Sequence, residues 1–327
     1  MPKTIHFQSF KQRLPEVTGK VFVITGTTSG TGWVAARTVA ELGGEAVLLN
    51  RPSERVDAML QSLKEAVPGG KFVTVDCDLQ SFNSVRGAAN DIKQRYDAIY
   101  CLANNAGIMA TPDEATVDGY DTQMQTNHLS HFLLTAELLP LLEVTAHSLG
   151  DARIVNHSSF GRLHTPNDRL EEAYFHKNGG NLGGNDVGFM RGGCFYRYFQ
   201  TKLANSVFSY ALAEKLKASN SKVRAICAHP GSADTNLVNQ MQVGFFLKLM
   251  MAAMAPMISQ TAEDGAMGLI TGMMATDAQS GVMYGPKNNG TKGKAVAVPA
   301  KPFETDSSSI DMLWRTSEAA TQSRLLT

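Results

Sequence analysis

The sequence predicts an α/β fold, a single doubly wound parallel sheet of about seven strands with helices on both faces. Three observations carry that expectation. Short β-branched or apolar runs alternate with amphipathic stretches along most of the chain. The runs are apolar at nearly every position rather than at every second one, as strands buried on both faces must be. The first of them also passes through a glycine-rich turn directly into a helical pattern.

Residues 20–25 (KVFVIT), 45–50 (EAVLLN), 71–76 (KFVTVD), 97–103 (DAIYCLA), 152–157 (ARIVNH) and 222–228 (KVRAICA) read as strands, with the shorter GVMY at 281–284 as a seventh. Between them, TGWVAARTVAELG, SFNSVRGAANDIKQRY and YDTQMQTNHLSHFLLTAELLPLLE read as helices. There is no internal repeat and no Pro/Ser-rich linker, so residues 1–327 read as one domain. The rhythm breaks at 162–195, where NGGNLGGNDVGFMRGGC marks a long inserted loop. Such a loop is either functional or a loose surface insertion, and both readings stay open.

Composition excludes some partners. The chain is 43% hydrophobic and 18% charged, ample for a large core, and thirty basic residues balance thirty acidic ones. No net field draws it to nucleic acid. Cys77, Cys101, Cys194 and Cys227 show neither a CxxC pair nor metal-ligand spacing, which fits a reducing, cytoplasmic setting. The N-terminal MPKTIHFQSFKQRLPEV lacks the apolar run of a secretory signal. GFFLKLMMAAMAPMI at 244–258 is too short for a membrane span and is interrupted by Lys248 and Pro256. His128 and His131 lie three apart on a helix without a third ligand at metal spacing, so they read as hydrogen-bonded helix histidines, and no metal is expected.

In VITGTTSGTG, Gly26, Gly30 and Gly32 stand where a chain turns tightly, admits a phosphate to its backbone and packs a helix against a strand. With Thr28, Ser29 and Thr31 between them, they open a helix whose free N–H groups face an anion, the pattern of a dinucleotide site. The spacing Gly-x-x-x-Gly-x-Gly resembles the short-chain dehydrogenase/reductase form of this turn. The chain resembles that family over nearly its whole length, which implies a Rossmann-type sheet and a nicotinamide cofactor. Where NAD-dependent relatives carry an acidic residue after the second strand, this chain has Asn50 and then Arg51. An arginine can clamp a 2′-phosphate that a carboxylate would repel, so NADP(H) is expected. The resemblance also places Asp78 and Leu79 at the adenine. It sets Asn105, Ala106 and Gly107 of LANNAG along the cofactor, and Pro230, Gly231 and Thr235 of HPGSADT beside the nicotinamide.

Tyr198 and Lys202 in YRYFQTKLAN are four apart, on one helix face, while Tyr196 and Arg197 point elsewhere. With Asn127 from MQTNHLSHFLLT and Ser159 from IVNHSSFG, they match the family's four active-site residues in order. A carbonyl accepting hydride gains negative charge on oxygen, so it needs a proton donor and a group to hold it. The resemblance makes Tyr198 that donor, with Lys202 lowering its pKa and binding the nicotinamide ribose. Ser159 then holds the substrate oxygen, and Asn127 anchors a water leading to Lys202. Strand alternation turns the neighbouring Ser158 the other way. Thr31 and His157 depart from the family pattern, each replacing a residue that is usually apolar; His157 reads as structural.

DGYDTQMQTNHLSHFLLT and YFQTKLAN further resemble the retinol-dehydrogenase-like branch, whose members act on lipophilic carbonyls. A substrate lid is expected around 236–260, with Phe160, Phe245, Phe246, Leu249 and Met250 lining an apolar pocket. An oligomer interface and a membrane-surface patch remain open for the same segment. The reading is an NADPH-preferring oxidoreductase interconverting a ketone or aldehyde and its alcohol, on a bulky lipophilic small molecule. Its alternatives are a C=C reductase of the protochlorophyllide-reductase type and a non-catalytic NADP(H) sensor. It is expected in the cytoplasm, with peripheral membrane contact left open, as is a homo-oligomer built through the helices of Asn127 and Tyr198.

Overall fold

Strands that are apolar on both faces need cover on both, and the fold supplies it. The structure is a computed structural model that describes residues 4–188, 190–232, 260–288 and 290–326. Strands β1 (Val21–Thr25), β2 (Glu45–Asn50), β3 (Lys71–Asp76), β4 (Cys101–Asn104), β5 (Ala152–His157), β6 (Val223–Ala228), β7 (Met283–Asn288) and β8 (Lys292–Val298) form one sheet. Their order is β3-β2-β1-β4-β5-β6-β7-β8. Every pairing is parallel except the last. Among the described residues the helices are α1 (Phe7–Lys11), α2 (Gly30–Glu41), α3 (Glu54–Ala66), α4 (Phe82–Arg95), α5 (Thr122–Leu149), α6 (Gly193–Ala218), α7 (Ala262–Met274) and α8 (Ser307–Thr321).

Alternate side chains of each strand enter opposite cores. Val23, Val47, Leu49, Leu102 and Ile154 pack beneath α4, α5, α6 and α8. Phe22, Ile24, Leu48, Cys101 and Val155 face α2, α3 and α7. Strand order reverses between β1 and β4, which opens a crevice at their carboxyl ends, where such sheets bind ligands.

The sheet has eight strands, one more than expected. The seventh continues past Tyr284 through Pro286 to Asn288, and β8 folds back on it antiparallel, with a bulge at the turn. The sequence KGKAVAV hides this strand because its lysines sit on the sheet edge, where they discourage pairing with another chain.

α5 is long and apolar enough to cross a membrane, yet most of it is buried in the fold. Phe132, Leu134, Leu138 and Leu142 belong to the main core, so α5 is a core helix. α8 lies over α5 and α6, with Trp314 5.5 Å from the Phe132 ring and 5.8 Å from that of Phe208.

The glycine-rich insertion is tied down by one buried cation. Arg197, fully buried in α6, donates to the carbonyls of Leu182 and Gly184 at 3.0 and 2.8 Å and to that of Thr111 at 3.1 Å. It also faces Asp121 at 3.1 Å and Asp113 at 3.5 Å. Asp113 in turn accepts the N–H groups of Gly180, Leu182 and Gly184. The glycines are needed here: Gly180, Gly183 and Gly184 have φ of +88°, +93° and +73°. Removing Arg197 would strand two carboxylates, so Arg197→Met is expected to cost about 3–5 kcal/mol in urea unfolding. A loss below about 1 kcal/mol would show that the cluster does not hold the insertion.

Candidate active site

The glycine-rich turn packs so closely that side chains have no room. Gly26 has φ +71°, and a Cβ there would lie 2.8 Å from the Ala106 backbone. A Cβ on Gly32 would meet the Gly26 carbonyl oxygen at 2.2 Å. Ser29, the residue before α2, makes no side-chain cap, so the helix's first N–H groups stay available to an anion.

Neighbouring side chains hold this turn in place. Asn105 Nδ2 donates to the carbonyls of Thr25 and Gly26 at 2.8 and 3.1 Å. Thr31 Oγ1 donates to Asn105 Oδ1 at 2.8 Å. Asn50 is committed to Thr27, accepting its N–H at 2.8 Å and donating to its hydroxyl at 2.7 Å. Arg51, one residue on, is exposed and makes no hydrogen bond or ion pair among the described residues. Asp78 accepts the Gln80 N–H at 3.0 Å, and the carbonyl of buried Leu79 accepts the Ser130 hydroxyl at 2.6 Å.

Asn127, Ser159, Tyr198 and Lys202 converge from α5, the end of β5 and α6. A π-helical turn at Gln125–Leu129 inserts an extra residue into α5 and carries Asn127. Its amide spans the Ile108 backbone, accepting the N–H at 2.8 Å and donating to the carbonyl at 2.9 Å, and it also donates to Thr201 Oγ1 at 2.9 Å. A Cβ on Gly107 would sit 3.2 Å from both Asn127 Oδ1 and Lys202 Nζ, so the site closes around that glycine. Lys202 Nζ lies 5.7 Å from the centre of the Tyr198 ring. Ser159 lies close enough to the Tyr198 phenol to favour its ionised form. Ser158 instead donates to the Lys202 carbonyl at 2.6 Å, on the helix side of the strand.

Burial changes the acid–base order expected of this pair. It pushes the Tyr198 phenol up to about 12, and Ser159 opposes this only in part. The same burial pushes Lys202 down to about 8. Burial is the larger influence on the phenol here. Lys202 Nζ donates to the His157 carbonyl at 3.0 Å.

Two buried residues join the site without a clear sequence signal. Thr25 Oγ1 accepts the N–H groups of Asn105 and Ala106, each at 3.0 Å, and meets His131 Nε2 at 3.0 Å. His131 Nδ1 reaches the Asn127 carbonyl at 3.0 Å, joining α5 to the end of β1. His128 instead spans Asn205 and Ser317 at 3.3 and 3.0 Å. Each ring thus has hydrogen-bond partners at both nitrogens. Pro230 and Gly231 are held by Gln260, whose Nε2 donates to the Pro230 carbonyl at 2.9 Å, and by close approach of Thr291. Phe160 packs on His164, with ring centres 5.3 Å apart. Thr235, Phe245, Phe246, Leu249 and Met250 lie outside the described residues, as does all of the expected lid but Gln260.

Known proteins resemble this chain. The short chain dehydrogenase family pattern matches residues 20–167. An uncharacterized oxidoreductase of Schizosaccharomyces pombe is 36% identical over 239 residues, 72% of this chain and 67% of its own. Human retinol dehydrogenase 11 is 32% identical over 227 residues, covering 68% of this chain and 64% of its own. The crystal structure of an uncharacterized Mycobacterium paratuberculosis protein superposes with a TM-score of 0.73 at 28% identity, covering 99% of both chains. A sheet switch point, a glycine-rich turn at its crevice and this degree of likeness identify the chain as a member of the short-chain dehydrogenase/reductase family.

Proposed function

We propose that this protein is an NADPH-preferring oxidoreductase that interconverts a lipophilic ketone or aldehyde and its alcohol. The observation that carries the reading is the convergence of a buried tyrosine and lysine with a half-buried serine beside a turn shaped for a dinucleotide. The open N–H groups of α2 and the side-chain-free surface of Gly26 and Gly32 fit a pyrophosphate, and Arg51 is free to meet a 2′-phosphate. Asp78 and Leu79 would flank the adenine, and Asn105, Ala106, Gly107, Pro230 and Gly231 the nicotinamide side. Bound NADPH supplies the hydride.

The chain's own residues supply the proton. A phenol held near 12 keeps its hydrogen at neutral pH, which suits a donor to the growing negative charge on a substrate oxygen. Ser159, beside Tyr198, would hold that oxygen in line. Asn127 fixes the loop at Ile108 against α5 and α6, and so shapes the path by which Tyr198 regains its proton. A lipophilic substrate is supported by the likeness to retinol dehydrogenase 11. The four cysteines are free and buried, in keeping with a cytoplasmic setting. α8 covers the part of α5 and α6 around Phe132 and Phe208, so we propose that association through that surface is not needed.

The pH dependence tests the lysine. Below about 8 Lys202 carries its charge, and above it the ammonium is lost while the Tyr198 phenol still holds its proton. Carbonyl reduction is therefore expected to be level up to about pH 8 and to fall by up to about tenfold per unit beyond it. The measurement is kcat/KM for NADPH-dependent reduction of a long-chain aldehyde across this range. A profile that stays level to about pH 10 would remove Lys202 from the chemistry.

A further inference from the structure

His157 ends β5 just before the two serines, and its main chain and side chain serve different neighbours. Its carbonyl accepts Lys202 Nζ at 3.0 Å and Asn205 Nδ2 at 3.1 Å. Its ring Nδ1 lies 3.0 Å from Asn105 Oδ1. The residue thus stands between the glycine-rich turn, through Asn105, and the Tyr198 side of the site, through Lys202.

The hydrogen on this ring can be assigned from its neighbours. Asn105 Nδ2 lies against two carbonyl oxygens, of Thr25 and Gly26, which only an N–H group can satisfy. Its Oδ1 therefore faces Thr31 and His157, and an amide oxygen only accepts. Nδ1 must then carry the hydrogen. Burial, helped by the nearby Lys202 charge, pushes the imidazole down to about 3, so the ring is neutral. Nε2 is left as a bare acceptor. The residue is 6% exposed, and no described group donates to Nε2. Leaving such an acceptor unpaired costs about 1–3 kcal/mol, a cost that an apolar side chain at this strand end would avoid.

We propose that His157 Nε2 accepts a hydrogen bond from the nicotinamide half of the bound dinucleotide, through a ribose hydroxyl or the carboxamide N–H. This rests on the dinucleotide reading of the site. Phosphate oxygens are excluded as partners because they too are acceptors. Hydroxyls and the carboxamide are the donors that half carries, and the residue stands between Asn105 of the glycine-rich turn and Lys202 of the reacting end.

The test compares wild type with His157→Val in calorimetric titrations with NADP+ and with 2′,5′-ADP, which lacks the nicotinamide half. The variant is expected to bind NADP+ about five- to tenfold more weakly and 2′,5′-ADP unchanged. Unchanged NADP+ affinity would overturn the proposal. So would an equal loss on both ligands, which would mean that the ring only braces Asn105 and the turn. Wild type binding neither ligand would remove the dinucleotide reading itself. The 3-acetylpyridine analogue of NADP+, which has no carboxamide N–H, separates the two donors. If it narrows the gap between wild type and variant, the carboxamide is the partner; if the gap persists, a ribose hydroxyl is. A measurement independent of the substitution is the 15N resonance of His157 Nε2 in wild type, expected to move upfield on NADP+ binding; an unmoved resonance would also overturn the proposal.

Discussion

Tyr198→Phe is expected to lower kcat for carbonyl reduction by roughly a thousandfold, the scale on which a positioned proton donor acts. The substitution removes one oxygen and leaves the ring, which packs among Ala110, Cys194, Phe195 and Phe199. Its polar contact with Ser159 is lost, a change worth at most about 1.5 kcal/mol in folding. The fold should therefore persist, and NADP+ affinity should stay within about threefold of wild type, because the phenol proton is used only as charge develops. Single-turnover NADPH oxidation with a long-chain aldehyde, read beside a thermal melt, separates these effects. Turnover within about tenfold of wild type would take the proton transfer away from Tyr198. Tight binding with no turnover in either protein would favour a sensor on the same fold.

Arg51→Asp is expected to reverse cofactor preference, weakening NADPH by roughly a hundredfold and leaving NADH unchanged or improved. The size follows from losing a charge-assisted fork on a phosphate and placing a like charge beside it. The position tolerates the change, since Arg51 is exposed and has no partner among the described residues. Asn50 cannot compensate, because both ends of its amide are engaged with Thr27. The ratio of kcat/KM for NADPH and NADH should also fall with added salt in wild type and not in the variant. An unchanged ratio in Arg51→Asp would end the case for NADP(H) preference.

The parts of this protein most legible in its sequence are those set by local rules. Apolar runs at β1, β2, β5 and β6, buried almost throughout, announce a sheet covered on both faces. Gly26 and Gly32 of the first turn are required by a backbone approach that no side chain would fit. Less legible were β8, whose edge lysines interrupt the apolar pattern, and the glycine-rich 162–195 segment. Its order depends on Arg197 and Asp113, which lie 84 positions apart in the chain (197 − 113). His157 was readable only as a departure from an apolar position. What it touches depends on Asn105, 52 residues earlier.

The sequence alone determined that Tyr198 and Lys202 share a helix face, because a spacing of four is a property of any helix. Tertiary structure decided what that face does. It buried both groups, raising the phenol and lowering the ammonium, and it turned Nζ to the His157 carbonyl. The physical reason is that desolvation is set by everything packed around a group, and most of those neighbours come from distant parts of the chain.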